Sequence, residues 1–497
     1  MLYTRQVPGE FSAWTEAGRK GWTWDDVEPY YNKSETTLSH TKSEHRGHKG
    51  PWFNRRLDDI PMQNISESVS ERALCALSSH NHVRTIAATS SFGIPYVTES
   101  NDPSAPAVCC ARLDHTIDDQ GRRCSAFDAF LPPHVALRSN LDICTEIVVT
   151  SVDLEETPNG LRAVGVFFEH DSIIRGKTHR RYHCSAKREV ILSSGAIGTP
   201  KILMLSGVGP AEHLKSLNIP VKKDLPGVGA NLQDHLGVPV IFKAPKHDTF
   251  EKLLSNPFSI LWELIKYLLF ATGLMLCPLP QISIFALSRL LDDDSNTVVH
   301  SANGKAEFDA HISSNVPDIE LMALSINASD EQFVELKDWY TGAFSYLCVA
   351  LRPESHGTLR LRSVDPRDFP VCDLAFLTKP NDYVVMRKAV KLGLALGRRL
   401  REQGYPLRDL QVPDSESDED LDKFIRAGSR TTFHYSSTCR MAPEAELGAV
   451  DDQLRVHGIQ GLRIADASIF SSIPATHLQA PVVMVAERCA DFIKASY

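Results

Sequence analysis

Two histidines far along the chain have the type and setting to work on one hydroxyl group. His434 lies in Phe-His-Tyr-Ser-Ser-Thr-Cys-Arg-Met and His477 in Ile-Pro-Ala-Thr-His-Leu-Gln, with Gly-Leu-Arg-Ile-Ala-Asp-Ala-Ser-Ile-Phe between them. A neutral imidazole accepts a proton, and its ordinary pKa lies close to neutrality. Two rings facing the same oxygen can divide the work. One takes the hydroxyl proton while the other holds the oxygen and aims the carbon at an electron acceptor. A histidine in a loop is by itself unremarkable, and this chain has 19. The surrounding pattern singles these two out.

The elements that must position them lie close by in sequence. Leu462 to Ala465 reads as a buried strand that runs into the polar turn Asp466-Ala467-Ser468, a kind of turn that approaches a cofactor closely. After His477, the apolar run Ala480 to Ile493 recurs at helical spacing, with Glu487, Arg488 and Asp491 on the wet face. Each histidine therefore occupies a loop beside a regular element, where scaffolds present reacting groups. Earlier in the chain, Val190-Ile191-Leu192 reads as a short buried strand. Ser193-Ser194-Gly195-Ala196 is its tight exit, and Thr199-Pro200 opens a helix by cap-then-proline. A strand, a small-residue turn and a helix start make an edge, at Ser194 and Gly195, suited to phosphate or ribose.

These stretches resemble the glucose–methanol–choline (GMC) oxidoreductases, flavoenzymes that oxidise alcohols. The closing pattern of that family matches at His434, Thr438, Cys439, Met441, Leu462, Arg463, Asp466, Ala467, Ser468 and His477, while Ser437 and Ala442 stand where it commonly has glycine. Its second signature matches through Gly195-Ala196, Thr199-Pro200, Ile202-Leu203 and Ser206 to Gly209, and continues from Asp224 to His235. Tyr3, Arg5, Trp14, Gly21-Trp22 and Glu35 fit a segment near the family's flavin-contacting loop.

The resemblance implies FAD as cofactor. It makes His434 the base and His477 the partner that hydrogen-bonds the substrate oxygen, with the two roles exchangeable. Asp466 and Ala467 are placed at the pyrophosphate and ribityl part, Ala467 through its backbone N–H, and Leu478 and Gln479 near the flavin ring. Val149 maps to a backbone contact with adenine; a plain core valine is the competing reading. His235 falls in a segment that is structural in the family. The fold implied mixes α/β and α+β. An FAD/NAD(P)-binding-type domain takes residues 1–50, 108–236 and 430–497, and a substrate domain on an antiparallel sheet with helices takes 51–107 and 237–429.

The family's G-x-G-x-x-G unit, which holds the ADP half of FAD, is not found. Gly207-Val208-Gly209 and Gly227-Val228-Gly229 lack the third glycine at the required spacing. The flavin domain is therefore expected to be N-terminally incomplete. The chain is then a truncated form of a full enzyme, or a short product impaired in flavin binding; a non-catalytic relative that binds a partner is the rival.

Composition bounds the rest. At 497 residues the chain exceeds a single core. A formal charge of -9 without a basic cluster argues against a nucleic-acid footprint. Eleven cysteines without C-x-x-C spacing read as reduced core residues, which leans towards an intracellular setting. Arg5 interrupts any signal-peptide run. The apolar stretch Phe258 to Leu279 contains Glu263, Lys266 and Pro278, and reads as a buried or partly buried helix lining the substrate domain rather than a membrane span. Ser66 to Ser78 is compatible with a helix. His40, His45 and His48 lack the supporting ligands of a metal site, and no G-x-S-x-G elbow supports a hydrolase. The expected activity is FAD-dependent oxidation of a small-molecule alcohol to an aldehyde, ketone or lactone, by an oxidase or dehydrogenase whose electrons leave to oxygen or another acceptor.

Overall fold

Aromatic side chains gather the N-terminal stretch into a core. The computed structural model describes residues 2–56, 79–170, 180–251, 257–270, 281–295, 297–298, 306–329 and 341–497; the helix expected at Ser66 to Ser78 lies outside them. α1 (Pro8–Glu16) starts on a proline, where a helix has no use for the missing N–H. α2 (Trp24–Ser34) is held by a reciprocal cap between Thr23 and Asp26. Phe11, Trp14 and Trp22 are buried and meet edge to face, with centroids 5.3 and 5.9 Å apart. Beside them the buried Glu35 lies between Arg5 and Arg46, and it also accepts from Asn54 at 2.6 Å and from the Gly47 N–H at 3.1 Å. Burial pushes the Glu35 carboxyl up, but the two guanidiniums outweigh it and hold the group at about 2.

After β1 (Cys109–Arg112), the strands β2 (Ile147–Thr157), β3 (Gly160–His170) and β4 (Arg181–Ser185) form an antiparallel ladder. β5 (Val190–Leu192) then runs into α3 (Gly195–Leu205). α3 begins before the expected Thr199-Pro200 start. Gly195 supplies the turn at φ +75°, and Thr199 works inside the helix, accepting from the Ser194 N–H at 3.1 Å. Pro200 therefore sits in the helix body and cannot donate to the carbonyl of Ala196; the Thr438 hydroxyl donates there instead, at 2.7 Å.

The second half is built on β6 (Leu236–Pro245), α4 (Pro257–Phe270), β7 (Ile282–Ala286), β8 (Ile319–Leu324), β9 (Thr341–Ala350), α5 (Pro380–Glu402) and α6 (Asp418–Gly428). Arg408–Gln411, β6, β9, β8, β7 and β1 lie side by side in one antiparallel sheet, with Tyr96–Val97 added in parallel to β1. α5 packs on one face, and Gly397 lets it approach, because a Cβ there would stand 2.3 Å from the Phe242 ring. The period-2 alternation of β8 sends Ile319, Leu321 and Ala323 into the core that includes α5, and Glu320, Met322 and Leu324 to the opposite face.

The chain finally returns to its middle. β10 (Leu462–Ile464) pairs in parallel with β5, Val190 opposite Leu462 and Leu192 opposite Ile464. α7 (Gln479–Ser496) follows, and its Arg488 donates to the Asp26 carbonyl at 2.7 Å.

Over the described part of the stretch expected as a buried or partly buried helix, α4 is mostly exposed, and residues 271–279 of that stretch lie outside the described residues. Its apolar residues face outwards, Phe258 being 78% exposed and Trp262, Leu268 and Leu269 also exposed, while Glu263 is turned inwards and bonded to Lys266 at 2.6 Å. Among the described residues no helix is long and apolar enough to cross a membrane. Cys109, Cys110, Cys124, Cys348, Cys439 and Cys489 are buried as free thiols, whereas Cys144, Cys184 and Cys372 are exposed ones.

Candidate active site

Register brings His434 to its place. Thr431 pairs with Leu236 and Arg430 with Gly237, so the residues after Arg430–Thr431 fold back over the entry to β6. Asp234 fixes the return, accepting from the Thr431 hydroxyl and, at 2.8 Å, from the His434 N–H. Burial raises the Asp234 carboxyl to about 6 despite those bonds. The next residue, His235, meets His434 Nδ1 to Nδ1 at 2.9 Å, with ring planes at 86°. Phe433, between the register pair and His434, takes φ +63° and is 77% exposed, a strained conformation for a bulky side chain beside a reacting group.

His477 comes from the other direction. Its ring centroid lies 5.1 Å from that of His434, with the planes at 84°, so His235, His434 and His477 stand in a row, each edge to face with the next. The backbone of the His477 loop hangs on side chains from elsewhere. Ile473 N–H donates to Gln233 at 3.0 Å, Ala475 N–H to Glu10 at 2.6 Å and His477 N–H to Thr4 at 3.3 Å. The ring is fixed by Glu320 on β8, whose Oε1 lies 3.2 Å from His477 Nε2 and accepts from the Ser283 hydroxyl of β7 at 2.6 Å. Burial works against the Glu320 charge, yet His477 and Ser283 outweigh it and keep the carboxyl below its usual value. His434 moves down to about 3, through burial first and then the neighbouring His477, so it is neutral at ordinary pH.

Of the residues expected at the cofactor, Ser194, Gly195, Asp466 and Ala467 lie at the start of α3, Val149 shares a cavity with Ser194, and Leu478 and Gln479 stand at the start of α7. Asp466 spends both oxygens on the chain itself: Oδ2 accepts from Gly195 N–H at 2.9 Å and the Thr199 hydroxyl at 2.5 Å, and Oδ1 accepts from Ser468 N–H at 2.8 Å. Ala467 receives the Ser437 N–H on its carbonyl at 3.1 Å, which ties this turn to the His434 loop. Ser437 takes φ +67°, so the backbone keeps a conformation suited to glycine although a serine occupies it; Ala442 shows no such strain. In front of Gly195 a Cβ would meet nothing within 4 Å. Val149 and Ser194 line one cavity of about 300 Å³ with Gly165, Ser185 and Leu192. Leu478 is buried at the start of α7, and the Oε1 of Gln479 is buried without a hydrogen-bond partner.

Sequence reasoning did not single out Glu320, Ser283, Asp234 or Glu10, and gave His235 no part in the chemistry. One signal was available: Glu320 is an acid inside the otherwise apolar run Ile319 to Leu324, all of it buried. Of the N-terminal histidines, His40 lies with Glu99 and Asp114 inside a 4.8 Å cluster. Burial disfavours its charge, but the two carboxylates hold His40 up at about 9, and Arg46 ion-pairs with both of them. A protonated ring beside a guanidinium repels a cation. His45 is bonded to Glu28 and His48 to the Ser43 carbonyl.

Comparison with known proteins gives the family. Two family models, both described as GMC oxidoreductase, match residues 1–237 and 353–486. A dehydrogenase of Strobilurus tenacellus is 31% identical over 99% of the chain and 79% of its own length. The mitochondrial choline dehydrogenase of Homo sapiens is 31% identical over 99% of the chain and 73% of its own length. Among solved structures, formate oxidase from Aspergillus oryzae aligns with a TM-score of 0.82 at 25% identity, over 100% of this chain and 82% of that one.

Proposed function

Because the chain belongs to the GMC oxidoreductase family, we propose that it oxidises the CH–OH group of a small alcohol to an aldehyde, ketone or lactone. The cofactor of the family is FAD. The observation that carries the reading is the meeting of His434 and His477, rings 5.1 Å apart, with the buried Glu320 behind His477.

The residues around α3 fit the cofactor. The cavity beside Val149 and Ser194, the open space before Gly195 and the unbonded Oε1 of Gln479 offer room and polar atoms for a dinucleotide. A helix start also favours its phosphates. Asp466 serves by pinning the first turn of α3 to the Ala467 turn. What the flavin supplies when bound is a two-electron acceptor for the hydride of the carbinol carbon.

His434 takes the hydroxyl proton. The Nδ1–Nδ1 bond between His235 and His434 needs one donor and one acceptor, and a base at His434 requires His434 to be the donor. His235 Nδ1 then accepts, His434 Nδ1 donates, and His434 Nε2 is left bare. With protons on both ring nitrogens, His477 donates from Nε2 to Glu320 and from Nδ1 to the substrate oxygen. The negative Glu320 offsets positive charge on the imidazoles as the proton moves.

The test is anaerobic mixing of the flavin-loaded protein with a panel of primary and secondary alcohols, followed by flavin absorption. At least one alcohol bleaches the bands, and His434→Ala slows that bleaching by about 10²–10⁴-fold. Wild-type bleaching in His434→Ala removes this residue as base; a panel that leaves the bands untouched removes the reaction class.

A further inference from the structure

The loop that carries His477 has no strand or helix of its own between Phe470 and Leu478. A backbone outside regular structure needs other acceptors for its buried N–H groups, and these fix where it sits. Three of its donors, at Ile473, Ala475 and His477, alternate along the chain and end on Gln233, Glu10 and Thr4. The bond to Glu10 is the shortest of the three, at 2.6 Å, and the only one to an ionisable group.

Glu10 is a rigid anchor. It sits in the first turn of α1, whose Gly9 N–H donates to the Ala310 carbonyl at 2.7 Å. A Cβ on Gly9 would stand 2.5 Å from the Ile312 carbonyl oxygen, so the start of α1 is pressed against that segment. The Glu10 side chain is buried, and Arg352 is the charged group that faces it. Burial pushes its carboxyl up to about 7, against the pull of the Ala475 N–H and Arg352. Burying a carboxyl is costly, and here the oxygen is used on the backbone two residues before His477.

We propose that Glu10 is a positioning residue for the reaction: by accepting from the Ala475 N–H it sets the loop that places the His477 ring between His434 and Glu320. This rests on the functional reading given above. It requires reach more than charge. Glu10→Gln keeps an acceptor oxygen at the same distance along the side chain, whereas Glu10→Asp keeps the charge and withdraws the oxygen by one methylene.

The experiment measures amide hydrogen exchange of the peptide containing Ala475 and the rate of flavin reduction by alcohol in the full chain. Glu10→Asp and Glu10→Ala should speed exchange in that peptide, leave other core peptides protected, and lower the reduction rate by about 10-fold or more, with little change in the alcohol concentration for half-saturation. Glu10→Gln should restore both readings towards wild type. The proposal is overturned if Glu10→Asp matches wild type, or if Glu10→Gln loses as much as Glu10→Ala. His477→Ala is run in parallel. Wild-type reduction in that variant sinks the reading of the site, while exchange at Ala475 still reports on the Glu10 anchor.

Discussion

The Thr438 hydroxyl donates to the carbonyl of Ala196 at 2.7 Å, and this bond joins the loop after His434 to the first turn of α3. The carbonyl needs a donor because Pro200 cannot supply one. Thr438→Val removes the hydroxyl at nearly constant volume and leaves a buried acceptor unmet. Urea unfolding should register a loss of about 1–3 kcal/mol, while Thr438→Ser stays close to wild type. Equal stabilities of the valine and serine variants contradict this account.

Ser437 keeps a left-handed backbone, φ +67°, with its side chain fully buried. Ser437→Gly relieves that strain, against the greater freedom glycine gives the unfolded chain. The expected net is a stabilisation of up to about 1 kcal/mol, seen as a rise in Tm at unchanged flavin content. A fall in Tm contradicts it.

In the proposed reaction Glu320, bonded to His477 at 3.2 Å, orients that ring and faces the developing charge. Glu320→Gln should slow flavin reduction by about 10²–10³-fold while the protein remains folded and flavin-loaded. Stopped-flow reduction at the wild-type rate would remove Glu320 from the mechanism.

Glu35 sets an acid limit on stability. Its folded pKa of about 2 lies below the ordinary 4.5, so its contribution is present above pH 4.5 and is lost as pH falls through about 2. The amount at stake is on the order of 3 kcal/mol. Denaturant titrations between pH 5 and pH 2 should show this slope, and Glu35→Gln should flatten it, although that variant is weaker throughout because two guanidiniums lose their partner. An unchanged slope in Glu35→Gln assigns the acid limit elsewhere.

Gly397 allows α5 to rest on Phe242 of β6, since a Cβ there would come 2.3 Å from the ring. Gly397→Ala should destabilise by about 1–3 kcal/mol in thermal or urea unfolding, because the crowded ring has no free space to enter. A gain in stability, as helix propensity alone would predict, refutes the close approach.

Much of the site was legible because its signals are local. His434, Asp466 and His477 are flanked by a short apolar strand and a periodic helix, and β10 and α7 formed where their spacing indicated, although Arg488, expected on the wet face of α7, is buried against the Asp26 carbonyl. What escaped depends on pairing across the chain. His235 meets His434 only because Leu236 pairs with Thr431, and Glu320 reaches His477 only once β8 has its two neighbours. β6 and β8 are buried on both faces, so alternation does not say which side of β8 faces the site. The start of α3 was misplaced because the Thr-Pro cap signal competed with a glycine turn one helical turn earlier. α4 was misjudged because apolarity alone does not tell which side of a helix is covered.

The Glu10–Ala475 bond spans 465 positions, and Trp22 waits for Phe492 in the same way. At roughly 5–20 residues per second on the ribosome, Glu10 emerges about half a minute or more ahead of its partner. For that interval the first aromatic cluster has no lid and the carboxyl no backbone to hold. The His434–His477 pair can therefore assemble only after the chain around Ala475 has left the ribosome, long after the N-terminal aromatic cluster has emerged.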